Sequence, residues 1–291
     1  AAVAFALARF KAHPSRARVD TVAWQVALSR KRFIEHFKAD VGVSVDEAVD
    51  VAKDAADVIL LEKSLLVLAD GIVIGRTCFA NIIKYIKMAM SSNFGNAFSV
   101  TVAACWLDFL PMLSIHIVLQ NLLYDFSQLA IPWDNVDADV IEKPRRWQPA
   151  SLMRFLLIGP ISSIFDIATF LFLFYVLKYD DEDVPEKTLR FQTGWFVAGL
   201  STQALIIHMI RTPKVPFFQS IASLPVIVGS VAIIVVACAL PYLPKLNEAL
   251  SMRPLPGEFW PFLIGCVVVY CITAQVFKML FLRVFPNDPW I

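Results

Sequence analysis

The chain has 291 residues, of which 58% are hydrophobic and 12% aromatic, with a mean hydropathy of +0.64; a soluble domain holds about 45–50% apolar residues. The net charge of +1 gives no argument for a nucleic-acid partner. The sequence has no His/Cys metal cluster, no Gly-rich phosphate loop and no G-x-S-x-G elbow, so zinc, P-loop and serine-hydrolase chemistry find no support.

Residues 1–37 form an unassigned basic segment in which Arg9, Lys11, Arg16, Arg18, Arg30, Lys31 and Arg32 outnumber Asp20 and Glu35. Its apolar start, Ala1–Phe10, is short and lacks the basic lead and cleavage site of a secretory signal. Residues 41–62 read as strand, helix, strand. Val41–Val45 is β-rich, Asp46–Lys53 has helical spacing with Asp46 as N-cap, and Asp57–Leu61 is apolar like a buried parallel strand. This α/β sliver is too small to bury a core alone.

A long helix is predicted over 63–87, with Phe79, Ile82, Ile83 and Ile86 at helical spacing and Lys84 and Lys87 between them. It runs without a break into apolar sequence from Met88, as a helix entering a bilayer would. A spanning helix needs about 20 mostly apolar residues. Six segments qualify: 88–107, 111–132, 153–177, 193–211, 218–240 and 259–282. Trp106, Trp133, Trp147, Trp195 and Trp260 fall at or near segment ends, where an aromatic belt sits. Four of the five cysteines lie in apolar runs and read as small hydrophobes. With the N-terminal sliver in the cytoplasm, the loops carrying Lys143, Arg145 and Arg146 and then Arg211 and Lys214 also face inward, as does the C-terminus. The acidic loop around Asp180–Asp183 faces outward.

Polar side chains inside these segments need a reason, because a carboxylate at the helix centre costs about 2.5–3.5 kcal/mol. In the first segment Asn93 and Asn96 are three apart; in the second Asn121 and Asp125 are four apart, so each pair shares a helix face. The turn between the segments, Asp108 to Met112, is short, which predicts antiparallel neighbours with both pairs at one depth. Amide oxygens plus one carboxylate suit a hard cation such as Mg²⁺ or Ca²⁺, and Mg²⁺ keeps several waters. The same amides also serve as hydrogen-bonding glue between helices. Gln203 in the fourth segment either joins this site or packs as glue, and Asp166 in the third is a further ion-pathway candidate. His116 and His208 read as structural.

The run from Asp40 through Ala55-Ala-Asp-Val-Ile-Leu-Leu-Glu-Lys63 resembles the closing part of a P-type ATPase phosphorylation domain. Phe79-Ala-Asn-Ile-Ile-Lys through Ser91-Ser-Asn-Phe-Gly-Asn96 resembles that family's stalk and fifth transmembrane helix, and Asn121-Leu-Leu-Tyr-Asp125 its sixth-helix ion motif. Gln120–Gln128, Ile131–Asp137, Gly159–Asp166 and His208–Thr212 are similar to the bacterial magnesium-transporting (type IIIB) members. The resemblance covers about residues 38–285.

The resemblance implies a mainly α fold: a six-helix transmembrane bundle, over 88–291, preceded by a small α/β remnant of the phosphorylation domain (38–70) and a stalk helix (71–87). It implies Mg²⁺ as the transported ion, with Asn93, Asn96, Asn121 and Asp125 at ion-site positions, in a bacterial inner membrane; Gln203 joins the metal-site candidates from its place inside the fourth segment alone. ATP would act only in the complete parent protein, and the partners would be the lipid bilayer and the N-terminal pump domains this chain lacks. The family's Asp-Lys-Thr-Gly-Thr loop does not occur, and residues 1–37 do not resemble its hinge motif. The chain alone is therefore expected neither to hydrolyse ATP nor to form a phosphoenzyme. Two other readings stand beside this one. The first is a nonenzymatic remnant or regulatory membrane fragment of a cation pump. The second, a secondary transporter, lacks the internal repeat such folds carry.

Overall fold

The computed structural model describes residues 42–285 apart from 55, 63, 143, 146, 157–158 and 180–184. The basic segment 1–37, residues 38–41 of the expected phosphorylation-domain remnant, Lys143, Arg146 and the acidic run Asp180–Asp183 lie outside the described residues.

Compact packing divides the chain into residues 1–74 and 75–291. The first unit holds β1 (Val43–Val45), α1 (Asp50–Asp54) and β2 (Val58–Leu60). β1 and β2 pair in parallel, Val43 opposite Val58 and Val45 opposite Leu60, as the sequence predicts. The predicted burial is not observed: Val58 and Ile59 are exposed, and no residue of α1 is buried. Among the described residues of this unit, two strands and one helical turn offer no second layer to cover the sheet. Asp46 does not cap α1, which begins four residues later; its carboxylate pairs with Lys53 at 3.6 Å.

α2 (Leu65–Ala103) is continuous over 39 residues, so the predicted stalk and first segment are one helix. α3 (Ser114–Gln128) follows after residues 104–113, a longer connection than predicted, with Pro111 keeping Leu110 out of helical conformation. α3 ends before Ile131–Trp133, a 3₁₀ turn with Pro132 near its start. Its 15 residues span about 22 Å, short of the roughly 30 Å hydrocarbon core. α4 (Ala138–Glu142) lies in the following loop. Next come α5 (Pro149–Phe155), α6 (Gly159–Leu171) and a π-helical turn (Phe172–Val176), then α7 (Pro185–Ile210) and α8 (Leu224–Ala239). α9 (Leu246–Ala249) and α10 (Phe259–Val284) complete the order.

Among the described residues, five helical stretches are long and apolar enough to cross a membrane: Leu66–Ala103, Pro149–Val176, Pro185–Ile210, Leu224–Tyr242 and Phe259–Val284. They match five of the six predicted segments.

α7 is the axis of the second unit. It packs against α3, α6, α8 and α10 and is buried along most of its length. Small residues permit this: a Cβ on Gly194 would meet Leu173 Cδ2 at 2.8 Å. The hydroxyls of Thr193, Ser201 and Thr202 donate to backbone carbonyls of the preceding turn, so they are satisfied without water. Outward faces of α8 and α10 carry Val228, Val231, Val235, Ile264, Val268 and Ile272, all exposed, as lipid contact requires. Trp195 departs from the predicted aromatic belt. It is 2% exposed, with its ring edge-on to Phe170 at 4.8 Å.

Candidate functional site

α2 and α3 supply four of the five predicted ion ligands, and α7 supplies the fifth. Asn96 is half-buried and accepts a 2.8 Å hydrogen bond at Oδ1 from Gln203 Nε2, so α2 and α7 meet there. Gln203 is buried, and its Oε1 has no hydrogen-bond partner among the described residues. An acceptor oxygen without a donor beside an asparagine is the kind of group a cation or its water shell can use. Asn93, Asn121 and Asp125 are exposed. α3 packs mainly on α7 and α8, not along α2 as the sequence predicted, and Gln120, Tyr124, Ser127 and Gln128 form its buried face. Four-residue spacing placed Asn121 and Asp125 on one face; that face is the outward one. The structure thus brings Asn96 and Gln203 together and leaves the other three facing outward.

Asp125 borders a cavity of 610 Å³ lined also by Asn81, Ile82 and Tyr85 of α2 and by Gln128, Leu129 and Pro132. Its walls are mostly apolar, with a few convergent polar groups. Gln128 is buried, and neither of its amide atoms has a hydrogen-bond partner among the described residues. Among the described residues no group of three His, Cys, Asp or Glu side chains comes together. His116 Nε2 donates to Leu250 O at 2.7 Å and His208 Nε2 meets Ser230 Oγ at 3.1 Å, so both act as interhelical ties.

A second polar centre lies at the Ile210 end of α7, and sequence reading missed it. Asp134, in the loop after α3, is buried. One oxygen accepts from Lys84 Nζ at 2.7 Å and from Arg211 Nε at 2.8 Å, and the other from the Ser223 backbone N–H at 3.1 Å. Both cations are buried too, with side chains about 1% exposed. Burial alone would raise the Asp134 carboxyl; Lys84 and Arg211 beside it reverse this and hold it below the ordinary carboxylate range. Asn135 O accepts from both cations, at 2.9 Å each. Asn81 Nδ2 donates to Pro132 O and Asp134 O, and Thr212 Oγ1 donates to Asp137 Oδ2 at 2.6 Å. α2 is thereby tied to the loop that ends α3 and to the end of α7. Lys278 of α10 closes the same end, donating to Met209 O, Thr212 O and Lys214 O at 2.8–3.2 Å. These include carbonyls that α7 leaves unpaired at its C-terminus, where a cation also suits the helix dipole.

Close approach of helices fixes the middle of α2. A Cβ on Gly95 would collide with Ser162 Oγ and lie 3.2 Å from Gly159 O, so only glycine lets α2 approach α6 here.

Residues 109–280 match the family description "Cation transporting ATPase, C-terminus". The chain is 53% identical over 246 residues to "Magnesium-transporting ATPase, P-type 1" of Escherichia coli K12, covering 84% of this chain and 27% of that protein. A protein of the same name from Salmonella typhimurium strain 14028s is 52% identical over the same shares. The calcium-transporting ATPase of Bacillus subtilis is 26% identical over 78% of this chain and 26% of its own length. The chain therefore spans about a quarter of the length of these relatives.

Proposed function

This chain belongs to the cation-transporting ATPase family, and we propose that it is the C-terminal membrane part of an ATP-driven Mg²⁺ transporter. In this reading Asn93, Asn96, Asn121, Asp125 and Gln203 supply oxygen ligands to a partly hydrated cation. α3 acts as a sixth, short spanning segment, and the strand pair with α1 is the remnant of a phosphorylation domain. The Asn96–Gln203 contact, with an oxygen on the buried Gln203 that has no partner among the described residues, is the observation that carries it.

Outward exposure of Asn93, Asn121 and Asp125 fits the same reading. A carboxylate and two amides at membrane depth need a cover of protein, and the relatives carry about three-quarters of their length beyond the matched part. Those N-terminal pump domains would complete the site and supply ATP hydrolysis, which this chain does not perform alone. The membrane is the bacterial inner membrane, with both ends of the spanning region in the cytoplasm.

The test is a chimera in which this chain replaces the matching C-terminal part of the Escherichia coli relative. Asp125→Asn is expected to abolish Mg²⁺-stimulated ATP hydrolysis, and Asn96→Ala to raise the Mg²⁺ concentration it needs. Unchanged Mg²⁺ activation in the inserted Asp125→Asn chimera would sink the assignment.

A further inference from the structure

Asp166 sits in α6, within the stretch Pro149–Val176, and is 7% exposed. Its Oδ1 accepts from Trp195 Nε1 of α7 at 3.0 Å, and its Oδ2 lies 2.6 Å from Ser99 Oγ of α2. No Lys, Arg or His pairs with it among the described residues. The groups facing it are neutral: Ser99 from α2, Trp195 from α7, and Cys266 and Tyr270 from α10, whose ordinary titration lies above neutral pH. A buried carboxyl held only by neutral hydrogen-bonding partners can bind or release a proton without breaking an ion pair.

The hydroxyl of Ser99 has one proton and two neighbours that could take it. Gly95 O lies 2.9 Å from Ser99 Oγ, and Asp166 Oδ2 lies 2.6 Å from it. One hydroxyl donates one hydrogen bond at a time. With Asp166 neutral, its O–H donates to Ser99 Oγ and Ser99 donates to Gly95 O. With Asp166 ionised, Ser99 turns and donates to Oδ2, while Gly95 O keeps the bond from Ser163 Oγ at 3.0 Å. Both protonation states leave no buried polar atom in this chain of contacts unsatisfied.

We propose that Asp166 is an intramembrane proton-binding site, with Ser99 as the hydroxyl that rotates between its two states. One proton binds at Asp166 Oδ2 and leaves to water, and no other group changes charge. The site is separate from the oxygen cluster of Asn96 and Gln203, and proton binding there does not depend on which cation that cluster takes. It bears on that cluster mechanically, since Ser99 is three residues from Asn96 and Trp195 is eight from Gln203.

The experiment is infrared difference spectroscopy of this chain in lipid nanodiscs, titrated in H₂O and in D₂O. A protonated-carboxyl C=O band is expected that shifts in D₂O, disappears on raising the pH and is missing in Asp166→Asn. Ser99→Ala keeps the carboxyl but removes its hydroxyl partner, so the band should persist with a shifted frequency and a shifted titration midpoint. A band that survives Asp166→Asn, fails to titrate, or is unmoved by Ser99→Ala overturns the proposal. Should Asp166→Asn not insert, the Ser99→Ala comparison alone decides it.

Discussion

Asp134 is the residue whose loss should cost this fold most. It accepts from Lys84 and Arg211 at 2.7 and 2.8 Å, with all three side chains nearly inaccessible. Removing one member of a buried ion pair leaves an uncompensated charge, at about 3–5 kcal/mol. Asp134→Ala strands two cations and leaves the Ser223 N–H without its acceptor, so the upper end of that range is expected. Lys84→Met leaves Asp134 paired with Arg211 and removes hydrogen bonds to a charged group, for about 1.5–3 kcal/mol. The assay is equilibrium unfolding in mixed micelles, with limited proteolysis as a second readout. A loss below about 1 kcal/mol for Asp134→Ala, the size of an exposed pair, would refute the claim that this centre is buried and binding.

Acidification should act through the same carboxyl. Its pKa is depressed on folding, so its contribution is complete above the ordinary carboxylate value of about 4 and is lost as pH falls through the lower folded value; unfolding midpoints of wild type and Asp134→Asn should converge in strong acid. Asp139→Asn, which breaks the exposed Lys214–Asp139 pair, should leave the midpoint unchanged. Gly95→Ala should destabilise by about 1–3 kcal/mol through its collision with α6; Gly75→Ala, with nothing within 4 Å of the new methyl, should stabilise by about 0.5–1 kcal/mol in the same unfolding series. Lys278→Met should cost about 1–3 kcal/mol by leaving carbonyls at the end of α7 without a donor.

Hydropathy runs located five spanning stretches, because lipid demands long uninterrupted apolar helices whatever their partners. The parallel pairing of β1 and β2 was equally legible, from β-rich runs either side of a helical turn. Packing direction was not. The i, i+4 spacing of Asn121 and Asp125 says that they share a face, but which way it turns depends on what Gln120, Tyr124 and Gln128 pack against. Trp195 read as an interfacial residue because Trp usually is; its indole N–H instead satisfies Asp166 in the core. Arg211 and Lys84 were counted as charges that orient loops and mark a helix surface. Only folding shows that both converge on Asp134, which lies 50 residues from one and 77 from the other. A visible signal existed: Lys84 sits between Ile83 and Ile86 in a helix otherwise turning apolar, where a lysine needs a partner.

Growth of a bacterium lacking its own magnesium uptake systems, at limiting Mg²⁺, tests the central claim most directly. The strain would express either this chain alone or the chimera that joins it to the N-terminal part of the Escherichia coli relative, with membrane insertion checked by protease protection. The account predicts that the chain inserts without rescuing growth, and that the chimera rescues it. Rescue by the chain alone, or an inserted and phosphorylated chimera that carries no Mg²⁺, would contradict it.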